Sequence, residues 1–227
     1  AGNAVVGRAL VGQVPPQSLN ALRWSLALLL LLPLGWRLLA TRNARAALWQ
    51  RRWPLLRLGV LGVTAYNALQ YLALTTTTPL NATLIAASGP VWMLLLGFGL
   101  YGERPHRRQW VGCVLSLLGV LVVVGRGDLQ QLWSVQLVRG DALMLLAVVC
   151  WSGYSWLLAR PVASMRAPQR PAWNWSEFLL AQVIFGGFFA VLAAQAEQWV
   201  TPQPVQWSAG VVAALIYVAI GPSIVAY

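Results

Sequence analysis

Four polar and aromatic side chains form a continuous stripe inside an apolar stretch of this sequence: Tyr66, Asn67, Gln70 and Tyr71. Their spacing of i, i+1, i+4 and i+5 places them on one face of a helix. Amide and phenol groups inside hydrocarbon are costly unless they face protein or water, so they are the first candidates for a solute pathway. The chemistry available to them is hydrogen bonding and aromatic contact.

Two further apolar stretches carry a similar polar face. Asn81, Ser88 and Trp92 share one face at i, i+7 and i+11, and Trp151, Tyr154 and Ser155 share another. Three half-polar faces at one depth predict a cavity for a small, partly apolar, hydrogen-bonding solute. The alternative is that the same groups bond across packed helices. The predicted substrate-binding residues are Tyr66, Asn67, Gln70, Ser88, Trp92, Trp151 and Tyr154, with Asn3 and Tyr227 added from the two ends of the chain.

The elements that must position these residues are membrane spans, each of which needs about 20 predominantly apolar residues. The sequence predicts an all-α integral membrane bundle with about seven to eight spans. Prolines in Gly89-Pro90 and Gly221-Pro222 predict kinks within two of them. The predicted stretches are a short start at 2–11, then 17–39, 53–74, 80–101, 109–125, 140–159, 175–196 and 207–227.

Composition supports the membrane class. Hydrophobic residues make up 59% of the 227 residues and charged residues only 9%, with a mean hydropathy of +0.64. This balance excludes an ordinary soluble domain. The net charge of +11 is interpreted as attraction to anionic lipid headgroups, and nucleic acid is not an expected partner, because no basic patch interleaved with aromatic residues lies outside the membrane.

The basic residues are all arginines and fall almost wholly in every second gap between the apolar stretches. Arginine beside a span resists translocation, so these loops are predicted to be cytoplasmic, in a multi-pass protein of the cell inner (plasma) membrane. The Thr75–Thr78 turn, which carries no charge, is predicted to lie outside. The clusters are Arg37, Arg42, Arg45, Arg51, Arg52 and Arg57, then Arg104, Arg107 and Arg108, then Arg160, Arg166 and Arg170.

Motifs of an enzyme are absent from the sequence. It has a single histidine, His106, two unpaired cysteines inside apolar stretches, no Gly-rich phosphate loop and no convergent carboxylates. No metal site, cofactor or enzymatic activity is therefore predicted.

A weak internal repeat divides the chain. Leu58–Tyr66 resembles Ala219–Tyr227, each ending in Ala-Tyr, and five spans separate the equivalent helices. An odd number of spans gives the halves opposite orientation, as in the inverted repeats of many secondary transporters. We expect a first repeat at 1–126, with helices 1–5, and a partial second repeat at 139–227, with helices 6–8. The first and eighth helices are expected to be truncated.

Four stretches, in this order and spacing, resemble the EamA-type ten-helix exporters of the drug/metabolite transporter superfamily: Leu22-Arg23-Trp24, the run from Tyr66 to Leu74, Gly102-Glu103-Arg104, and the run from Gly140 to Leu143. The resemblance implies ten spans with both termini cytoplasmic, so this sequence is expected to be truncated at both ends.

A secondary transporter is the function expected from these features. It would export small metabolites, such as amino acids or related amphiphilic compounds, by alternating access. Its partners would be a small-molecule substrate and the lipid bilayer, and a homodimer is compatible with the sequence. The alternatives are an integral-membrane enzyme or lipid-handling protein that uses an intramembrane cleft, and a structural membrane subunit.

Several single residues carry further expectations. Arg23, inside the second stretch, is expected to extend to the outer headgroups, with attraction of an anionic group as the alternative. Glu103 is expected to pair with a neighbouring arginine or to cap the next helix. Gly112, Ser116 and Gly119 are expected to allow close helix approach.

Overall fold

The computed structural model describes residues 2–124 and 138–226, which form helices joined by loops, with no strand among them. The predicted all-α fold is confirmed for these residues. Two π-helical turns, Gly59–Ala65 and Gly221–Val225, and a short 3-10 turn, Ala163–Met165, complete the helical structure. The α-helices are α1 Gly2–Ala9, α2 Pro16–Leu34, α3 Arg37–Ala40, α4 Arg42–Gln50, α5 Arg52–Leu58, α6 Tyr66–Ala73, α7 Pro79–Ala86, α8 Gly89–Tyr101, α9 Arg107–Val124, α10 Arg139–Ala159, α11 Trp175–Val200 and α12 Ala209–Ile220.

Four helical segments among the described residues are long and apolar enough to cross a membrane. They are Pro16–Leu34, Pro79–Tyr101, Arg139–Ala159 and Trp175–Val200, and the apolar segment Ala209–Val225 is shorter. The predicted span at 53–74 is assembled from α5, the first π-helical turn and α6. The predicted total of seven to eight spans stays a prediction.

Polar side chains set where the long helices begin. At the start of α11, the Asn174 side chain accepts the Glu177 N–H at 2.8 Å, and the Glu177 carboxylate accepts the Asn174 N–H at 2.9 Å. At the start of α2, Oε2 of Glu197 accepts the N–H groups of Gln17 and Ser18, at 3.0 Å each. These carboxylates satisfy N–H groups that have no partner within the first helical turn.

Two prolines interrupt regular helix, as predicted. The chain leaves α7 and enters α8 at Ser88, directly before Gly89-Pro90, and the Ser88 hydroxyl donates to the Ile85 carbonyl at 2.6 Å. Gly221-Pro222 opens the second π-helical turn. Proline supplies no backbone N–H, so the ladder of helical hydrogen bonds cannot continue unchanged through either site.

One of the apolar core clusters lies between α2, α11 and the first π-helical turn. Here the backbones of α11 and the first π-helical turn are in contact. A Cβ added to Gly186 would lie 2.4 Å from the Gly59 carbonyl oxygen. A Cβ added to Gly59 would likewise lie 2.6 Å from the Gly186 nitrogen. The Thr64 hydroxyl donates to the Gly186 carbonyl at 2.6 Å across the same contact. Small residues allow this approach, as in other membrane helix pairs.

Two expectations about helix packing are wrong. Among the residues that the structure describes, nothing lies within 4 Å of a Cβ added to Gly112 or Gly119, so neither glycine marks a close helix approach there. Glu103 pairs with Arg160, the residue directly after α10, and not with a neighbouring arginine. In both cases the sequence shows a residue suited to a contact but does not show which helix comes near.

The arginine-rich loops meet at one end of the bundle. Arg51 donates to the Ser164 carbonyl at 3.0 Å and to the Gln169 carbonyl at 2.7 Å. The ion pair between Glu103 and Arg160 adds the third arginine-rich loop to the same end.

The loops with little charge meet at the other end. The Thr77 hydroxyl donates to the Asp141 carboxylate at the start of α10, and the Gln206 N–H donates to the Gln13 carbonyl at 2.8 Å. The charge pattern of the sequence therefore divides the molecule into two ends of different composition.

Candidate functional site

A cavity of about 320 Å³ lies between α1, α2, α6, α7, α10 and the second π-helical turn. A volume of this size falls in the range of small-molecule sites, roughly 300–1,000 Å³. Its wall combines hydrogen-bonding groups, two aromatic rings and small apolar side chains. The lining residues are Asn3, Ala4, Arg23, Tyr66, Asn67, Gln70, Ala82, Thr83, Ala86, Trp151, Pro222 and Ala226.

Five of the predicted site residues line this one cavity: Asn3, Tyr66, Asn67, Gln70 and Trp151. They come from three helices, α1, α6 and α10. The stripe on α6 therefore faces protein, and Asn67 and Gln70 are buried there, with 1% and 5% of their surface exposed.

The other predicted members lie elsewhere. The Ser88 hydroxyl donates to the Ile85 carbonyl at the break between α7 and α8. Trp92 packs against an apolar core cluster. Tyr154 is buried against the first π-helical turn, where its ring would meet a Cβ added to Gly62 at 2.8 Å. Tyr227 lies outside the described residues.

Arg23 does not extend to the headgroups, so the snorkelling interpretation is wrong. Its side chain is 1% exposed and lines the cavity. Its Nε donates to the Ser223 hydroxyl at 2.5 Å, and its Nη1 donates to Asn67 Oδ1 at 2.7 Å and to the Tyr71 hydroxyl at 3.0 Å. A longer contact of 3.3 Å joins Nη1 to Asn3 Oδ1. The guanidinium thus ties together four segments that are distant in sequence.

A chain of hydrogen bonds runs from this guanidinium along the cavity wall. The Tyr71 hydroxyl donates to Asn3 Oδ1 at 2.8 Å, and Asn3 Nδ2 donates to Gln70 Oε1 at 2.5 Å. Gln70 Nε2 lies 3.4 Å from the Tyr66 hydroxyl. Because each group holds the next, the polar wall is ordered before any solute enters.

The Asn67 side chain also forms hydrogen bonds with the backbone that precedes α6. Its Nδ2 donates to the carbonyls of Gly62 and Val63, at 2.8 and 3.2 Å. These carbonyls belong to the π-helical turn. The Asn67 amide therefore joins the irregular turn to the Arg23 guanidinium.

The aromatic part of the wall consists of Tyr66 and Trp151. Their ring centroids are 4.9 Å apart with an interplanar angle of 42°. The Tyr154 ring packs against the Trp151 ring, with ring centroids 5.2 Å apart. Such faces bind flat or branched apolar groups and accept cations weakly.

Sequence reasoning did not place Arg23 among the substrate-binding residues, and it missed Ser223, which bonds to Arg23 but does not itself line the cavity. Ser223 is 0% exposed, accepts from Arg23 Nε at 2.5 Å and donates to the Val218 carbonyl at 2.7 Å. The available signal was its place directly after the helix-breaking Gly221-Pro222, since π-helical turns recur at functional sites.

The arrangement can bind a solute by hydrogen bonds, by one cation and by two aromatic faces. Among residues 2–124 and 138–226, no three His, Cys, Asp or Glu side chains converge to hold a metal ion. The geometry described is that of a polar and aromatic cavity inside a helical membrane bundle.

Known proteins that are similar to this chain include several named as transporters or exporters. An uncharacterized transporter of Bacillus subtilis, YyaM, is 27% identical over 145 residues, which cover 63% of this chain and 47% of that protein. An uncharacterized transporter of Archaeoglobus fulgidus is 29% identical over 173 residues, which cover 75% of this chain and 54% of that protein. The chain thus spans about half the length of these two relatives.

A third relative covers more of the sequence. The aromatic amino acid exporter YddG of Ancylobacter novellus is 26% identical over 217 residues, which cover 95% of this chain and 69% of that protein. A solved crystal structure has a similar fold, with a TM-score of 0.60 at 23% identity over 98% of this chain and 72% of that one.

The family assignment rests on the first half of the sequence. Residues 1–125 match the model of the EamA-like transporter family. The relatives bear the names of transporters and an exporter, which agrees with the prediction that this protein is not an enzyme. The chain belongs to the EamA-like transporter family.

Proposed function

We propose that the protein exports small metabolites, such as amino acids or related amphiphilic compounds, across the cell inner membrane by alternating access. The observation that carries this proposal is the cavity of about 320 Å³ with its polar, cationic and aromatic wall. Burying polar groups in hydrocarbon costs free energy. A cavity that a solute and water occupy in turn would explain why these groups are present. The name of the Ancylobacter novellus relative supports an amino-acid-like substrate.

Alternating access requires two units that move against each other, and we propose residues 1–126 and 139–227 as those units. The cavity is lined from both, because Trp151, Pro222 and Ala226 face the residues of the first unit. The segments that resemble each other in sequence also share a structural irregularity, since Gly59–Ala65 and Gly221–Val225 are both π-helical turns. Equivalent irregular segments around a central site are typical of inverted-repeat transporters.

The export proposal is tested with a panel of amino acids and amphiphilic amines in cells that express the full-length protein. We expect at least one compound to leave these cells faster than it leaves cells with the empty vector. Equal efflux of every compound, in cells where the protein reaches the membrane, would contradict export.

Trp151 is the residue whose truncation should separate transport from folding. For Trp151→Ala we expect the half-saturating substrate concentration to rise about tenfold, because one aromatic face of the cavity is lost. The matched control is Trp199→Ala, since Trp199 is 88% exposed at the end of α11. Membrane abundance is measured for both variants. Unchanged transport by Trp151→Ala would remove this wall from the proposed site.

Orientation is tested by labelling single cysteines. We propose that the end formed by the arginine-rich loops is cytoplasmic, because arginine beside a span resists translocation. An impermeant thiol reagent added to intact cells should label cysteines placed at the exposed Thr76 and Gln203 but not those at the exposed Arg45 and Arg166. Labelling at Arg166 from outside would reverse the orientation of the second unit and overturn the inverted-repeat scheme.

A further inference from the structure

Arg23 is a buried cation whose bonded partners in the described part of the chain are all neutral. Its guanidinium donates to Ser223, Asn67, Tyr71 and Asn3, and none of these groups carries a negative charge. These hydrogen bonds engage Nε and Nη1 but bring no opposite charge to the guanidinium. Burial of a charge is costly unless an opposite charge is near.

The carboxylates that the structure describes are engaged elsewhere. Glu177 and Glu197 accept backbone N–H groups at the starts of α11 and α2. Asp141 accepts the Thr77 hydroxyl, and Glu103 pairs with Arg160. Among residues 2–124 and 138–226, no carboxylate forms an ion pair with Arg23. An anion that enters the cavity would therefore meet an uncompensated positive charge.

Arg23 lies at the wall of the cavity, although its neutral partners cover almost all of its surface. The side chain is 1% exposed over its whole surface, yet it lines the cavity. The same cavity presents the Trp151 and Tyr66 rings and the small side chains of Ala4, Ala82 and Ala86. Arginine offers donors in a planar fork that matches a carboxylate. A solute that fits all of these features has a carboxylate at one end and an aromatic or aliphatic body at the other.

We propose that Arg23 binds the carboxylate of the transported solute, so that the substrate class is small carboxylates with an apolar body. This inference rests on the proposed function, because the binding site is the same cavity. Asn3, Asn67, Tyr71 and Ser223 act as positioning residues that hold the guanidinium at the wall. Arg23 selects the carboxylate, and Trp151 with Tyr66 contacts the apolar body.

Matched ligands test the inference on the purified full-length protein. Binding is measured as ligand-induced thermal stabilisation for L-phenylalanine, L-phenylalaninamide, phenethylamine and 3-phenylpropionate, and for L-leucine and L-leucinamide. These pairs differ in the carboxylate while the apolar body is kept. We expect the acids to bind at least about tenfold more tightly than the amides and the amine, since charge-assisted bonds to arginine are roughly twice as strong as neutral ones.

Two variants test the positive charge of Arg23: one deletes it, and the other neutralises it with an ion pair. Arg23→Gln deletes the cation, and Asn3→Asp places a carboxylate of nearly the same shape where Asn3 Oδ1 now lies 3.3 Å from Nη1. Gln70, which now accepts from Asn3, can turn its amide to donate to Asp. Both variants should lose the preference for acids. A purely structural role for Arg23 predicts instead that Asn3→Asp, by adding an ion pair, keeps that preference.

The outcomes separate the inference from the proposed function. Equal binding of acids and amides by the wild-type protein, no acid binding at millimolar concentration, or an acid preference that survives Asn3→Asp would each overturn the role of Arg23. If Arg23→Gln does not fold, Asn3→Asp and the ligand pairs decide. Counterflow in proteoliposomes then addresses export. Acid-selective binding without counterflow would keep the Arg23 site and overturn export, whereas export of amines alone would keep export and overturn the inference.

Discussion

Replacement of Gly186 by alanine is expected to unfold the protein at a clearly lower temperature, although alanine is the better helix former. The added Cβ would lie 2.4 Å from the Gly59 carbonyl oxygen and 2.6 Å from the Val63 Cβ. Backbone cannot rotate away as a side chain can, so α11 and the first π-helical turn must separate. We expect a loss of about 1–3 kcal/mol in the free energy of unfolding, the usual cost of an overpacked core.

The neighbouring glycine is the matched control. A Cβ added to Gly187 would meet only Val183 Cγ1, at 3.9 Å, which is an ordinary contact. Gly187→Ala gains the helix preference of alanine over glycine, about 1 kcal/mol, without a clash. Thermal unfolding of the full-length protein in detergent should therefore shift in opposite directions for the two variants. Equal midpoints would show that α11 and the Gly59–Ala65 turn are not in backbone contact.

Replacement of Asn67 by leucine is expected to destabilise the protein by about 2–3 kcal/mol, because a buried charge loses an acceptor. Asn67 Oδ1 accepts from Arg23 at 2.7 Å, and its Nδ2 donates to the Gly62 and Val63 carbonyls. Leucine has a similarly branched but somewhat larger side chain, and it removes these three bonds. The two carbonyls belong to the π-helical turn, so their loss of partners should also loosen the contact with α11.

The comparison variant is Asn81→Leu, at the half-buried first turn of α7. Its expected change in unfolding temperature is small. Protease resistance of the π-helical turn gives a second readout, which should fall in Asn67→Leu and stay constant in Asn81→Leu. If both variants unfold at the wild-type temperature, then the Asn67 bonds do not contribute to holding Arg23 in place.

Helix positions were predictable in outline from the sequence because they depend on local properties, and four of the predicted stretches coincide with helical segments long and apolar enough to cross a membrane. About 20 apolar residues cross a bilayer, and the prolines at 90 and 222 cannot donate a backbone hydrogen bond, whatever surrounds them. The arginine pattern also correctly grouped the loops into two ends, since Arg51 and Arg160 meet the same region of the bundle. The polar stripe on α6 gave Tyr66, Asn67 and Gln70 as neighbours because helical spacing alone places them together.

The residues that line the cavity were only partly predictable from the sequence. Asn3, Trp151 and the α6 stripe line one space, whereas Ser88, Trp92 and Tyr154 turn to other contacts. A polar residue on a membrane helix can face a cavity, a neighbouring backbone or a break in its own helix. The spacing that places residues on one face does not say which of these surroundings that face meets.

The sequence by itself determined the membrane class, the helices, their breaks and the two ends of different charge, because each follows from residues close together in the chain. Tertiary structure decided the placement of Arg23, the partner of Glu103 and the glycine pair at 59 and 186. In a soluble helix an apolar stripe marks the buried face, but in a membrane the lipid-facing side is apolar as well. Only the packing of helices shows which polar groups meet, and at Arg23 that packing joins residues 3, 67, 71 and 223 around one buried charge.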